Sequence, residues 1–144
     1  MNRKDSVLVT IGDVVLKCRL EWELAPKSCD LFLSLIELEH RAIHCRWSGE
    51  AIWIPFSQPV QALPFENHTS HPSPGQILIY AAGFSEPELL IPYGACSFNS
   101  KVGLLAGNHF LTIETGTENL SSLGRTVLWA GAKAARIRMD SVDG

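Results

Sequence analysis

Ser6-Val7-Leu8-Val9-Thr10-Ile11-Gly12-Asp13-Val14-Val15-Leu16-Lys17-Cys18-Arg19-Leu20-Glu21-Trp22 is the stretch that decides the fold class. Val7, Val9 and Ile11 alternate onto one side of a strand, and Gly12-Asp13 is a two-residue turn leading into a second strand over 14–22. A β-hairpin therefore opens the chain. Pro26 then presets a helical φ, Ser28 is suited to cap a backbone N–H, and Cys29, Phe32, Leu35 and Ile36 recur at helical spacing, which predicts one short helix over 26–36. After the polar run 37–41, two further strands are expected at 42–47 and 50–54, joined by Ser48-Gly49. Pro55, Pro59, Pro64, Pro72 and Pro74, five of the eight prolines, mark 57–75 as a long loop. Strands resume at 76–82 and 88–93 around a turn at 83–87. A stretch with Gly94, Gly103 and Gly107 follows, then a strand at 109–114. Leu120, Leu123, Val127 and Leu128 stand at i, i+3, i+7 and i+8 and predict a second helix that stops at Gly131, before a last strand over 134–139. About eight strands and two helices in a single domain spanning 1–144 fit a mainly β protein: a small closed barrel capped by two short helices.

Composition narrows the function classes. The 144 residues are 46% hydrophobic and 19% charged, as in an average globular domain, and long enough to bury a core without disulfides or metals. Twelve Lys and Arg against fifteen Asp and Glu give a net charge of −3, with no basic run longer than Arg3-Lys4, so nucleic acid is not an expected partner. Near the N-terminus the apolar run covers only 7–11, too short for a secretory signal or a membrane span, which predicts a cytoplasmic chain. Cys18, Cys29, Cys45 and Cys96 form no C-x-x-C pair and read as buried thiols.

Ala25-Pro26-Lys27-Ser28-Cys29-Asp30-Leu31-Phe32-Leu33-Ser34-Leu35 resembles the first helix of cyclophilins, and Gly107-Asn108-His109-Phe110-Leu111 is similar to their Gly-Ser-Gln-Phe-Phe strand. Arg46-Trp47-Ser48-Gly49-Glu50-Ala51-Ile52-Trp53 and Pro74-Gly75-Gln76-Ile77-Leu78-Ile79-Tyr80 resemble a bacterial branch of cyclophilin-like proteins of unassigned function. The resemblance implies a cyclophilin-like barrel with a groove on its outer face. Arg46 matches the family's catalytic Arg, but Ala51, Ile52 and Ile54 stand where its Phe, Met and Gln belong. Gly124-Arg125-Thr126-Val127-Leu128 places Thr126 where the family has a pocket His. Efficient prolyl isomerase activity is therefore not expected.

On a strand over 42–47, alternation puts Ile43, Cys45 and Trp47 on one face and sends His44 and Arg46 out of the barrel. Arg46 is suited to a carboxylate or carbonyl through its paired N–H groups. Glu50, Trp53, Tyr93 and Phe98 would ring an apolar ligand body. Asn108 and His109 would add polar contacts, His109 matching the family's pocket Gln; they also read as a structural pair, and Trp53 as core. His40-x-x-x-His44 and His68-x-x-His71 have metal-like spacing, but the first serves a metal only on a helix, so no metal and no cofactor are expected. The leading expectation is a module that binds a small carboxylate-bearing or peptide-like ligand. The alternatives are a weak prolyl isomerase and an acid–base enzyme using His44 or His109 with Glu50. Residues 76–82 and 88–93 are apolar on both faces, which predicts a homo-oligomer unless a loop covers the second face.

Overall fold

The Gly12-Asp13 turn folds β1 (Ser6–Ile11) onto β2 (Val14–Leu20), pairing Ile11 with Val14 and Ser6 with Arg19. This is the hairpin expected from the alternation. The computed structural model describes residues 6–56, 60–82, 87–101 and 103–140, so most of the turn expected at 83–87 lies outside the described residues. After β2 come α1 (Pro26–Leu35), β3 (Leu38–His44), a 3-10 turn (Arg46–Ser48) and β4 (Gly49–Pro55). The chain continues through β5 (His68–Thr69), β6 (Gln76–Tyr80), β7 (Glu88–Cys96), β8 (Asn99–Ser100), β9 (Gly103–Leu104) and β10 (Gly107–Thr115). It ends in α2 (Leu120–Ala130) and β11 (Lys133–Met139).

Around the wall the order is β2-β1-β11-β3-β4-β7-β6-β10, and β10 pairs back onto β2, which closes an antiparallel barrel of eight strands. Closure leaves these strands no free edge along most of their length. Val9, Leu16, Ala42, Ile52, Ile77, Ile91, Leu111 and Ile137 fill the interior. α1 seals one end, with Phe32 packed edge-on against Phe110 at 4.8 Å. α2 covers the opposite end, over β3, β4 and β7, through Leu120, Leu123 and Val127. Among the described residues no helix is long and apolar enough to cross a membrane.

Three expectations change. The polar run 37–41 is mostly strand, because Leu38, His40 and Ala42 take the inner side while the charges of Glu39 and Arg41 point out. Ser28 does not accept a bond as a helix cap. It lies within α1, and the Glu66 carboxylate takes both its N–H (2.7 Å) and its hydroxyl (2.8 Å), a cap delivered by the long loop. The outer faces of β6 and β7 are covered by the chain itself. Phe98 and Leu105, flanking the β8–β9 hairpin, bury Leu78, Tyr80 and Leu90 in a second cluster outside the barrel wall.

Candidate functional site

At the α2 end, His44 is the last residue of β3. It pairs with Ile52, whose side chain is in the barrel core, so His44 faces inward and not out of the barrel as alternation over 42–47 predicted. The strand stops there because the chain turns into the 3-10 segment carrying Arg46, which is exposed and no longer shares a strand face with His44. His44 Nε2 lies 2.6 Å from the Tyr93 hydroxyl, with the two rings nearly perpendicular. Tyr93 is 8% exposed, and its ring rests on Gly124 of α2, where a Cβ would fall inside 3.0 Å of the ring. Only a glycine lets the helix come so close.

Glu50 completes the cluster through a bulge. Gly49 pairs with Cys96 and Ala51 with Pro92, so Glu50 alone faces Tyr93, Gly94 and Ala95. The Ala95 N–H, freed from the ladder, donates to Glu50 Oε1 at 2.9 Å. The carboxylate occupies the room a side chain at Gly94 would need. Electrostatics tie these groups together. Burial pushes His44 below its usual value, Arg46 lowers it further, and Glu50 opposes both. Burial raises Tyr93, Glu50 raises it further, and Arg125 of α2 opposes. At neutral pH the pair is therefore imidazole and phenol. His44 Nδ1 is buried without a hydrogen-bond partner among the described residues, an uncommon state for a buried polar atom. Neither Arg46 nor Arg125 has a carboxylate partner among them.

A family model matches residues 7–139, nearly the whole barrel from β1 to β11. The chain belongs to the DUF3830 family of proteins of unknown function. No curated protein matches the sequence. Among solved structures, this DUF3830 chain is similar to McbB, solved in complex with tryptophan, at 15% identity and a TM-score of 0.71. That likeness covers 96% of this chain and 46% of McbB, so the chain spans less than half of McbB's length. It is also similar to a hypothetical protein of Archaeoglobus fulgidus solved in solution, at 13% identity and a TM-score of 0.64, covering 96% of this chain and 98% of that one. Both likenesses are of fold.

The remaining expected site residues of the DUF3830 barrel lie elsewhere. Trp53 is on the outer wall, half-buried against Trp47 at 5.5 Å, with its indole N–H buried and unpartnered among the described residues. Phe98 is wholly buried in the outer cluster. Asn108 is 2% exposed at the α1 end, and its amide is fully used: Nδ2 donates to Ser28 Oγ and Pro64 O, and Oδ1 accepts from the Glu66 N–H. His109 is on the outside of β10, 2.8 Å from Thr112 Oγ1, and that hydroxyl donates to Glu21. β6 and β7 separate β10 from β4, so His109 and Trp53 do not meet in one groove. Burial lowers His109, Glu21 opposing.

The structure thus brings together His44, Glu50 and Tyr93, with Arg46 beside them. Arg125, Gly94 and Gly124 were missed by the sequence reading. Gly124 carried a signal: a glycine inside an amphipathic helix, beside Leu123, marks close packing. No group of three or more His, Cys, Asp or Glu side chains arranged to hold a metal occurs among the described residues. His40 instead packs near Phe56, and His68 stacks on Phe65.

Proposed function

We propose that this DUF3830 protein binds a small carboxylate-bearing ligand at the α2 end of its barrel. The carboxylate lies against Arg46 and Arg125, and the rest of the ligand against the His44–Tyr93 pair and Glu50. The carrying observation is the grouping itself. Two arginines without carboxylate partners among the described residues act electrostatically on a hydrogen-bonded pair of half-buried His44 and buried Tyr93, and one ring nitrogen of that pair is unpaired among those residues. Guanidinium groups bind carboxylates through paired, charge-assisted N–H bonds, and convergent polar groups at a barrel mouth are a common setting for small ligands. McbB, a fold neighbour, was solved with tryptophan, itself a small carboxylate, which supports the class and not the identity of the ligand.

Thermal shift with matched acids and amides tests the reading: pyruvate, 2-oxobutyrate, tryptophan and N-acetyl dipeptides, each beside its amide. A ligand at a hundred times its Kd adds about 2.7 kcal/mol, or roughly 8 °C at about 3 °C per kcal/mol for a domain of this size. At least one acid is expected to raise the midpoint while its amide does not, and Arg46→Ala and Arg125→Ala each weaken it about tenfold or more. If no acid moves the midpoint, or the double variant binds a found acid unchanged, the proposal is wrong.

A further inference from the structure

We infer that the carboxylate site is also catalytic, enolising 2-oxo acids: Glu50 removes a proton from the carbon next to the ketone while the Tyr93 hydroxyl donates to the ketone oxygen. The inference rests on the carboxylate reading above and adds chemistry to it. Hydrogen-bond accounting sets the direction of the His44–Tyr93 bond. If Tyr93 donated to Nε2, the proton of neutral His44 would sit on Nδ1, leaving a buried N–H with no acceptor among the described residues. With Nε2–H donating to the hydroxyl oxygen, Nδ1 is only an unpaired acceptor, the less costly orphan. The Tyr93 proton is then left for a ligand oxygen. Donors aimed at a developing oxyanion are among the largest contributors to catalysis.

Glu50 is built as a base. The Ala95 N–H fixes Oε1, the missing side chain at Gly94 gives the carboxylate its seat, and Oε2 has no partner among the described residues. The step balances without an oxidant or a metal. The C3–H bond breaks and its proton goes to Glu50 Oε2. The electron pair forms the C2=C3 bond, and the carbonyl pair moves onto oxygen, where Tyr93 holds it. Reversal restores the C–H bond, and in D2O the returning proton is a deuteron. His44 is a positioning residue that acts through Tyr93. Arg46 and Arg125 hold the carboxylate next to the ketone, which selects 2-oxo acids over simple ketones.

Proton NMR in D2O, following loss of the C3 protons of pyruvate and 2-oxobutyrate, reads this directly, with thermal shift on the same samples for binding. Exchange well above buffer is expected. Glu50→Gln, which keeps the bond from Ala95, should lose about 100-fold or more in rate while still binding. Tyr93→Phe, which keeps the ring on Gly124, should lose about 100- to 1,000-fold. His44→Leu should lower kcat with little change in KM, and His44→Gln, which can still donate to Tyr93, should restore much of it. Binding with no exchange, or exchange unaffected by Glu50→Gln, overturns the inference and leaves the carboxylate site standing. Absence of binding by any acid overturns both.

Discussion

Replacing Gly124 by Ala sets two well-calibrated effects against each other. In a helix interior Ala is favoured over Gly by about 1 kcal/mol, so an open site would be stabilised. Here the new methyl would fall inside 3.0 Å of three atoms of the Tyr93 ring. That ring has little room to yield, being 8% exposed and tied at its hydroxyl to His44 at 2.6 Å. Overpacking costs about 1–3 kcal/mol, and a fixed ring places this case near the upper end, about 3. The difference is a net loss of about 2 kcal/mol. With a urea m-value of about 2 kcal/mol/M for a small domain, the midpoint should fall by about 1 M at constant m. Ser121→Ala, at an exposed position of the same helix, is the control and should be slightly stabilising. A Gly124→Ala midpoint equal to or above wild type would refute the claim that α2 is seated directly on Tyr93.

Asn108→Ala removes three hydrogen bonds that join α1, the 60–69 loop and β10, and it should cost about 3 kcal/mol in urea unfolding; a loss below about 1 kcal/mol would mean the network is not holding the loop. His44 and His109 both titrate below 6.5 in the folded state, chiefly through burial, so the unfolded chain takes up protons first as pH falls. Their contribution is complete above pH 6.5 and is lost below it; urea midpoints at pH 7.5 and 5.5 should show the drop, smaller in His44→Gln, and a rise would contradict the burial. Burial pushes the thiols up, Cys18 and Cys29 to about 12 and Cys45 and Cys96 to about 11. None should react rapidly with a disulfide reagent at pH 8 in the native state, and all four should react in denaturant.

The hairpin over 6–20, both helices and the count of barrel strands were legible because each rests on local periodicity or turn chemistry. Val7, Val9 and Ile11 can share a face in only one way, and Leu120, Leu123 and Val127 form an unambiguous helical stripe. The site was legible only in part, because it depends on where a strand stops. Taking 42–47 as one strand sent His44 outward with Arg46; in the structure β3 ends at His44 and the chain turns. The inward placement of His44 is still visible in hindsight, since Leu38, His40, Ala42 and His44 share parity and Ala42 is wholly buried. His109 and Asn108, adjacent in sequence, lie on opposite sides of the β10 wall. Period-2 alternation requires that separation, and it rules out one groove lined by both.

What no local pattern could disclose is the bulge between β4 and β7, and the candidate chemistry turns on it. A regular ladder would give the Ala95 N–H a backbone acceptor and set one residue of β7 opposite Glu50. The register shift sets three there, so an N–H is left over and a side-chain carboxylate takes it. That bond fixes Glu50 beside Tyr93, and the glycine at position 94 makes the approach sterically possible. Bulges interrupt pairing and so weaken a sheet, and they recur next to sites where a side chain must be re-aimed. Here the lost pairing is matched by a charged acceptor on an otherwise unsatisfied donor. Restoring regular register, by deleting both Gly94 and Ala95, would therefore cost the site its carboxylate while leaving the apolar barrel core intact.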